Sequence, residues 1–443
     1  MTVTSRPVTL EWPNKHLRLE ADGATGYRWV VAEALDKAPR ARLVGGPAAD
    51  TDTGTIICAD ALDAERFLLS GQPVIAEPVR LLYVDPPFNT GRSFGDYEDS
   101  LQTASWLSMM RDRLEGVKPL LASDASVWVH LDDSQVHHAR VVLDEVFGSN
   151  AFVATLVWQK RTTRESRSAF SNNHDYIHVY APAGPRSWKK RRNLLVKDEA
   201  VMRNRDNDTR GPWVDAPFTA PGFRNNQHYD IITPAGSVIR PPRGRSWYAT
   251  EGTFRNLMAD NRIWFPRGGS GSPRLKLFPH QLRGLVPFSV WSAAETGTND
   301  DAKRHLQRLF ADAGSVFMTP KPEELLERIV HVATDPGEVV MDLFAGSGTT
   351  ASVAHKMGRK WVAVERSAAT VVKVLEPRLR QVINGADPGG VTALHDWRGG
   401  GSFSVWQVQP AYGRVGAIRL SKKPARAIIA NVGEERTAGR CSA

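Results

Sequence analysis

Apolar residues along this chain fall in short runs, separated by stretches with helical spacing. The run Val-Arg-Leu-Leu-Tyr-Val at 79–84 is rich in strand-forming residues and predicts a buried strand of a parallel sheet. The same pattern predicts further strands at 55–59, 126–131, 151–158, 176–180, 338–344 and 361–365. Helical spacing predicts helices at 101–121, 133–147, 319–334 and 366–383. Strands that alternate with helices predict an α/β fold built on a parallel sheet.

The alternation of strands and helices stops after Pro185, where Arg, Lys, Trp, Pro and Gly become frequent. It resumes near residue 316, so the α/β domain is predicted in two halves with an insertion between them. Little periodicity before residue 55 predicts a loosely packed arm, and the glycine-rich stretch 385–401 predicts a linker. The predicted segments are an N-terminal extension (1–54), a first half (55–184), an insertion (185–315), a second half (316–384) and a C-terminal extension with a basic tail (385–443).

The residues Asp85-Pro86-Pro87-Phe88 follow the first of these strands and offer a binding site for an amino group. Open α/β sheets place their chemistry at the carboxyl ends of strands. The Asp85 carboxylate and the Pro86 carbonyl can each accept a hydrogen from an amine, because the prolines fix the backbone and lack N–H donors. Phe88 offers a flat face on which a base can stack. A simple Asp-Pro turn at a strand end explains these residues equally well when they are taken alone.

A second motif, Asp342 to Thr350, joins another predicted strand to a helix through a glycine-rich turn. Strand, glycine turn and helix begin a Rossmann-type unit that binds a nucleoside cofactor. The turn lacks the Gly-Lys-Thr/Ser of a phosphate-binding loop, which favours a nucleoside without a polyphosphate. Glu365 ends the next predicted strand, about 20 residues further on, where a carboxylate can bind ribose hydroxyls.

These motifs resemble those of the β group of DNA amino-methyltransferases, in which an Asp-Pro-Pro-aromatic motif precedes the target-recognition region and the AdoMet-binding Phe-x-Gly-x-Gly comes last. Phe344-Ala345-Gly346-Ser347-Gly348 fits the second motif. The first motif, extended to Gly91, is similar to that of adenine-N6 enzymes, especially the modification subunits of type III restriction systems. The similarity reaches from about residue 55 to about residue 405 and includes the segments 171–177, 319–325 and 397–403.

The resemblance implies a Rossmann-like, AdoMet-dependent methyltransferase sheet that is circularly permuted and carries an inserted target-recognition region at 185–315. The first half would be catalytic and the second half would bind AdoMet. Catalytic residues are expected at Asp85, Pro86, Pro87 and Phe88. Cofactor-binding residues are expected at Asp60, Lys321, Asp342, Phe344, Ala345, Gly346, Ser347, Gly348, Thr349, Thr350 and Glu365. A helix cap at Asp60 and a solvated side chain at Lys321 are the alternatives for those two residues.

The expected reaction is direct methyl transfer from AdoMet to the N6 amine of an adenine that has been flipped out of duplex DNA. Cytosine N4 is the alternative target, although enzymes of that specificity more often carry serine in place of Asp85. Further alternatives are a modification subunit that needs a restriction partner, an enzyme acting on RNA or a protein amide, and a non-catalytic AdoMet-binding regulator. Neither Cys58 nor Cys441 lies in a motif for cytosine-C5 methylation.

The insertion combines basic and aromatic residues in a way that is typical of DNA-binding regions. The residues expected to bind DNA are Lys160, Arg161, Arg243 and Arg245. The aromatic residues Trp247, Tyr248 and Trp264 are each better explained as parts of a small core within the insertion.

Charge and cysteine content agree with a DNA-binding protein of the cell interior. The formal net charge is +9, which favours a polyanionic partner. Two distant cysteines predict neither disulfides nor a metal site, and no apolar run is long enough for a membrane span, so we expect a cytoplasmic protein. The expected partners are double-stranded DNA and, by the resemblance, a second copy of the chain or a restriction subunit.

Overall fold

The computed structural model describes residues 8–22, 26–31, 39–47, 54–72, 74–89, 92–94, 97–99, 101–195, 202–282, 284–311 and 319–409. The strands are β1 (Arg18–Asp22), β2 (Gly26–Val30), β3 (Arg40–Gly45), β4 (Gly54–Cys58), β5 (Val79–Val84), β6 (Arg92–Phe94), β7 (Tyr97–Asp99), β8 (Leu121–Leu131), β9 (Phe152–Gln159), β10 (His174–Tyr180), β11 (Val214–Pro217), β12 (Thr219–Pro221), β13 (Ile231–Ile232), β14 (Val238–Ile239), β15 (Arg245–Trp247), β16 (Ile263–Trp264), β17 (Arg274–Leu277), β18 (Val290–Trp291), β19 (Val339–Asp342), β20 (Lys360–Glu365) and β21 (Phe403–Gln409).

The helices are α1 (Ala61–Leu69), α2 (Thr103–Val117), α3 (Val136–Phe147), α4 (Pro185–Arg191), α5 (Glu251–Ala259), α6 (Ala293–Thr296), α7 (Asn299–Leu309), α8 (Glu323–Ala333), α9 (Thr349–Lys356), α10 (Ala368–Thr370) and α11 (Glu376–Ile383). A π-helical turn, Val371–Leu375, separates the last two, so the helix predicted at 366–383 is interrupted. Within the described ranges, no helix is both long and apolar enough to cross a bilayer.

The main sheet has ten strands in the order β18-β9-β10-β8-β5-β19-β20-β4-β21-β3. The late strands β19 and β20 lie between β5 and β4, which come from the first half of the chain. Both halves therefore share one sheet, and the predicted circularly permuted α/β fold is confirmed. The apolar runs that predicted these strands are buried at its centre.

The sheet is mixed rather than parallel throughout. β10 pairs antiparallel with both β8 and β9, and β3 pairs antiparallel with β21. A parallel pair needs a long crossover, whereas β9 and β10 are joined directly by a loop without a helix. The prediction of a parallel sheet fails at β9 and β10 because a direct loop reverses the chain direction, whereas a crossover is needed to bring the next strand back parallel.

The N-terminal residues that the structure describes are well packed. Trp12 Nε1 donates to Ser108 Oγ at 2.7 Å, and the Leu19 N–H donates to Asp112 Oδ2 at 2.6 Å. Both Trp12 and Leu19 belong to the main hydrophobic core. The predicted loosely packed arm is therefore wrong for this part of the chain: its few apolar residues are spaced irregularly, yet they pack against α2.

The stretch predicted as a linker, 385–401, is also packed. Asp387 and Val391 are buried, and the Val391 N–H donates to Glu323 Oε2 at 3.1 Å. β21 follows this stretch and enters the main sheet between β4 and β3. The part of the predicted basic tail beyond residue 409 lies outside the described residues.

A second compact unit spans 194–287, inside the predicted insertion. It has its own core, formed by Phe218, Ile231, Trp247, Ala249, Ile263 and Phe265. Trp264 is partly buried against Trp213. Tyr248 differs from the prediction, because it is 55% exposed. The helices α4, α6 and α7, which fall within the predicted 185–315, pack in the first unit.

Candidate active site

The two predicted motifs leave the sheet side by side because their strands are neighbours. β5 and β19 pair in parallel, with Asp342 opposite Tyr83. Asp85 follows Tyr83 closely in the chain, and neighbouring strands are about 4.8 Å apart. The carboxyl ends of these strands therefore bring the Asp85 motif and the Asp342 loop to one edge of the sheet.

The Asp85 carboxylate is bound by Lys321. Lys321 Nζ donates to Asp85 Oδ1 at 2.9 Å and lies 2.8 Å from Oδ2. The lysine side chain is 10% exposed, so the alternative of a solvated lysine is wrong. Its ammonium also lies 4.9 Å from the centre of the Phe88 ring, within range of a cation–π contact. Lys321 thus joins the aspartate and the aromatic residue of the first motif, while its contact with a cofactor stays a prediction.

The backbone of the first motif is fixed by neighbours. Pro86 is buried, and Trp106 Nε1 donates to the Pro87 carbonyl at 2.6 Å. Thr90 and Gly91, at the end of the extended motif, lie outside the described residues. The chain therefore leaves β5 along a defined path as far as Phe88.

Phe88 is backed by buried polar groups. Its ring stacks on His130, with 6.0 Å between ring centres and 29° between ring planes. His130 lies near the end of β8; its Nδ1 is 2.8 Å from the Tyr83 hydroxyl and its Nε2 is 3.3 Å from Asp175 Oδ2. Trp158 packs edge-on against the same imidazole. These contacts hold the histidine ring behind the predicted stacking face.

The protonation of these groups follows from their surroundings. Burial, together with the charge of Lys321, lowers the pKa of His130 and keeps the imidazole neutral. Burial raises the pKa of Tyr83 well above its usual value, so its hydroxyl keeps the proton. Burial alone would raise the pKa of Asp175, but the hydrogen bond from His130 and the charge of Lys160 lower it to about 2. His130 Nε2 therefore donates to Asp175, and its Nδ1 accepts from Tyr83.

The second motif is closed by its own hydrogen bonds. Asp342 accepts from the Phe344 N–H at 2.9 Å and from Thr350 Oγ1 at 2.6 Å. Glu365 Oε2 accepts from the Gly346 N–H at 2.9 Å. The predicted acid at the end of β20 thus contacts the glycine turn directly.

The turn itself needs its glycines. Gly346 and Gly348 have φ angles of 49° and 77°. A Cβ on Gly348 would lie 2.4 Å from Leu375 Cδ1, so another residue here would strain the backbone and displace the end of that side chain. The Ala345 N–H donates to the Val364 carbonyl at 2.8 Å, which ties the turn to β20.

Burial raises the pKa of two carboxyl groups at this edge of the sheet. Burial raises the pKa of Asp342 to about 7. The charges of Asp85 and Glu365 also raise this pKa, whereas the hydrogen bond from Thr350 lowers it. Burial also raises the pKa of Glu365. Several acids around one turn give a negative potential that suits a cationic ligand.

Arg378 holds the glycine turn from behind. Its buried guanidinium donates to the Ser347 carbonyl at 3.3 Å and to Thr349 Oγ1 at 2.9 Å. Its other terminal nitrogen donates to Glu323 Oε1 at 3.0 Å. Two predicted cofactor residues, Ser347 and Thr349, are therefore positioned by an arginine from α11.

A buried ion network continues from Glu323. Lys356 Nζ lies 2.7 Å from Glu323 Oε2 and 2.7 Å from Asp387 Oδ2, with all three side chains fully buried. His305 Nε2 lies 2.8 Å from Asp387 Oδ1. Ligand atoms of His305, Glu323 and Asp387 lie within 4.8 Å of one another, a spacing that could hold a metal ion. The ammonium of Lys356 already bridges the two carboxylates, so the network is accounted for by its own charges.

Asp60 caps α1, as its alternative interpretation predicted. Its Oδ1 accepts from the Leu62 N–H at 3.0 Å and from the buried Arg113 at 2.6 Å. The guanidinium carbons of Arg113 and Arg366 lie 5.3 Å and 4.4 Å from the centre of the Tyr27 ring. The helix cap is confirmed, and a contact between Asp60 and a cofactor stays a prediction.

Two of the predicted DNA-binding residues in the first unit are bound within the protein. Lys160 Nζ donates to Asp175 Oδ1 at 2.6 Å, and Arg161 donates to Ser171 Oγ at 3.2 Å. In the second unit, Arg243 is exposed, whereas Arg245 donates to a backbone carbonyl and a hydroxyl of one threonine of β12. Of the four, Arg243 is the one with an exposed side chain, and DNA binding by any of them stays a prediction.

Sequence reasoning missed the residues that support these motifs from behind. His130 ends an apolar run as Asp85 does, which is a usable signal. Asp175 lies in the segment 171–177, whose family resemblance was noted without a role. Glu323 lies in the segment 319–325, which has the family resemblance but no predicted role. Arg378 gave no signal, because its meaning depends on a contact between α11 and α8.

The chain belongs to the DNA methylase family of N6 and N4 methylases, whose model matches residues 79–374. The matched region contains both motifs and the whole second unit. The family assignment therefore agrees with the resemblance on which the sequence predictions were based.

Several curated relatives are similar over much of this chain. The StyLTI Mod subunit of a type III restriction-modification enzyme from Salmonella typhimurium is 30% identical over 330 residues, which cover 67% of this chain and 48% of that protein. The type II methyltransferase M1.MboII of Moraxella bovis is 46% identical over 300 residues, which cover 66% of this chain and 86% of that protein. The chain spans about half the length of the type III Mod subunits that it matches.

Solved structures that match include the crystal structure of the M1.HpyAVI–SAM complex. It covers 74% of this chain and 100% of that chain, with 13% identity and a TM-score of 0.36. The family assignment rests on the sequence matches alone.

Proposed function

We propose that this protein methylates DNA, transferring the methyl group of AdoMet to the N6 amine of an adenine flipped out of the duplex. The observation that carries the proposal is the parallel pairing of β5 and β19. It brings Asp85 and the Asp342 turn to the ends of adjacent strands, which supports a shared site for an amine and a nucleoside. Methyl donor and acceptor would then meet at one edge of the sheet.

The Asp85 motif supports the acceptor side. The Asp85 carboxylate and the Pro86 carbonyl would accept the two amine hydrogens, which makes the nitrogen lone pair available. Lys321 binds both oxygens of Asp85, yet a carboxylate has about four acceptor positions, so an amine can be accommodated as well. Phe88, backed by His130, would stack on the base. As positive charge develops on the nitrogen, the carboxylate would stabilise it.

The Asp342 turn supports the donor side. Its glycines allow close approach to a nucleoside, and Glu365 lies where ribose hydroxyls would bind. The acids around the turn suit the sulfonium cation of AdoMet, which when bound supplies the electrophilic methyl group. Asp60, Lys321 and the residues from Phe344 to Thr350 are the other proposed cofactor contacts.

The second unit is proposed to recognise the target sequence. Support comes from its position inside the predicted insertion and from the exposed Arg243 on a Gly-Pro-rich turn. If Arg243 contacts a phosphate, removing its side chain should lower the salt dependence of DNA binding. Arg245 would stabilise the same turn from within.

Adenine is favoured over cytosine by the carboxylate at position 85, where the resemblance associates serine with cytosine-N4 enzymes. A restriction subunit is a proposed partner, because the chain is similar to Mod subunits of type III enzymes. A homodimer and a cytoplasmic location also stay predictions.

The test is to incubate the purified protein with unmethylated genomic DNA and AdoMet and to identify the methylated nucleosides by mass spectrometry. Asp85→Ala should lower N6-methyladenine formation by about 10²–10³-fold, the usual effect of removing one group that stabilises developing charge. AdoMet binding, measured by calorimetry, should be retained.

Asp132→Ala serves as a matched control, because it removes a carboxylate after β8 rather than after β5. N4-methylcytosine as the product would change the proposed base and keep the site. If the wild-type protein binds AdoMet but modifies no nucleoside of DNA, the proposed function is wrong.

A further inference from the structure

The loop between β9 and β10, residues 160–173, exposes a phenylalanine among basic residues. Phe170 is 93% exposed, the largest exposed fraction of any large apolar side chain in the described ranges. Arg164 and Arg167 on the same loop are also exposed. An exposed aromatic ring beside two cations suits a polyanion with stacked bases.

The loop is held in place without using Phe170. At its base, the Lys160 and Arg161 N–H groups donate to the Asn173 carbonyl at 2.9 and 3.4 Å. Higher up, Ser171 Oγ accepts from the Glu165 N–H at 2.9 Å and from the Arg161 guanidinium at 3.2 Å. Polar bonds thus close the loop, and the aromatic ring has no part in its fold.

The same loop is tied to the proposed base-binding site. Lys160 Nζ donates to Asp175 Oδ1 at 2.6 Å, and the other oxygen of Asp175 accepts from His130. His130 in turn stacks behind Phe88. Three consecutive contacts therefore connect the base of the loop to the ring proposed to hold the flipped base, at the same edge of the sheet.

We propose that Phe170 enters the DNA duplex and occupies the stacking position that the flipped base leaves, with Arg164 and Arg167 contacting the flanking phosphates. This inference rests on the proposed function. Flipping costs a few kcal/mol of stacking and pairing, and an inserted apolar side chain restores part of the stack. The proposal names the double helix as the occupant of this surface, since the neighbouring charges match phosphates.

The test compares Phe170→Ala with wild-type protein on two substrates, after the methylated sequence has been read from DNA that the wild-type protein modified. In one duplex the target base is paired; in the other it faces an abasic site. Phe170→Ala should lower kcat/KM about tenfold on the paired duplex and less than about twofold on the unpaired target. Phe170→Trp should retain activity on both substrates.

Phe288→Ala is the matched control, because it removes another exposed phenylalanine of the same unit, 82% exposed, and should leave both rates unchanged. If the wild-type protein methylates DNA and Phe170→Ala lowers both rates equally, or neither, the wedge role is wrong although the proposed function stands. If the wild-type protein methylates no DNA, the proposed function fails first. Urea unfolding of Phe170→Ala should match that of wild-type protein, since the ring packs on nothing.

Discussion

The Asp85 motif and the Asp342 turn leave adjacent strands, yet their carboxylates have different partners. Asp85 is partly exposed and bound by the side chain of Lys321, which is 236 residues away in the chain. Asp342 is buried and accepts a backbone N–H and a hydroxyl from within its own motif. Asp85 is held by a long, flexible type of side chain from a distant part of the chain, whereas Asp342 is held by rigid groups of its own motif.

This difference corresponds to what each side would have to do. A cofactor turn gains affinity from a shape that is already formed, because little ordering remains to be done on binding. A base-binding site has to admit a flipped nucleotide, so partners that can adjust are useful there. The cofactor side should therefore respond to substitutions mainly through stability and AdoMet affinity, and the base side mainly through catalysis on DNA.

The largest effect on the cofactor side is expected from Arg378→Met. Breaking a buried ion pair from one side costs about 3–5 kcal/mol, and the glycine turn would also lose its contacts with Ser347 and Thr349. We expect lower stability in urea unfolding and AdoMet binding weakened by up to about 30-fold, since two hydrogen bonds of about 1 kcal/mol each that order the turn are lost.

The double variant Glu323→Gln with Arg378→Met tests whether Arg378 acts by positioning the glycine turn or by balancing the charge of Glu323. Without Arg378 the carboxylates of Glu323 and Asp387 share the ammonium of Lys356, so neutralising Glu323 should recover part of the stability. AdoMet binding should stay weak because the turn still lacks its support. If stability and AdoMet affinity both recover, Arg378 acts only through Glu323.

A smaller effect is expected from the protonation of Asp342. Burial raises the pKa of its carboxyl group from 3.8 to about 7. Between these values the folded protein keeps a proton that the unfolded chain has lost, so stability falls as pH rises. From pH 5 to pH 8 this group alone should cost about 3 kcal/mol.

Asp342→Asn removes that proton exchange and can still bind the Phe344 N–H and Thr350. The unfolding free energy of the variant relative to wild type should therefore be about 3 kcal/mol larger at pH 8 than at pH 5, and the difference should level off only below pH 3.8. The difference in unfolding free energy between the two proteins cancels the contributions of the other titrating groups. Parallel curves over this range would mean that Asp342 does not titrate there.

The candidate site residues at the strand ends could be predicted from the sequence, but the residues that hold them in place could not. Asp85, Asp342 and Glu365 follow apolar runs, and the carboxyl ends of parallel strands meet at one edge. Arg378 is an ordinary surface residue by local pattern, and Glu323 lies in a segment with a family resemblance but no predicted role. Only the contact between α11 and α8 gives the two residues a common role.

The same reason explains two wrong predictions about the chain ends. Asp387 lies among glycines and reads as linker, but Lys356 and His305 bury it. Trp12 and Leu19 lack a regular spacing, but α2 provides the surface that they cover. Local patterns report strands and helices well, whereas contacts made by irregular segments depend on partners far away in the chain.

Phe88→Ala tests whether the Asp85 motif, proposed to bind the base, can be disturbed without affecting the Asp342 turn. Loss of a stacked base should cost about 1–3 kcal/mol in kcat/KM on DNA, because an alanine offers no ring face. AdoMet affinity and unfolding free energy should change less than catalysis, since the Phe88 ring is partly exposed and stacks on His130 beside Lys321. Phe88→Tyr keeps the ring and should stay near wild-type activity. A loss of AdoMet binding in Phe88→Ala equal to its loss of catalysis would mean that the two sides form one coupled site, contrary to the separation that their different partners indicate.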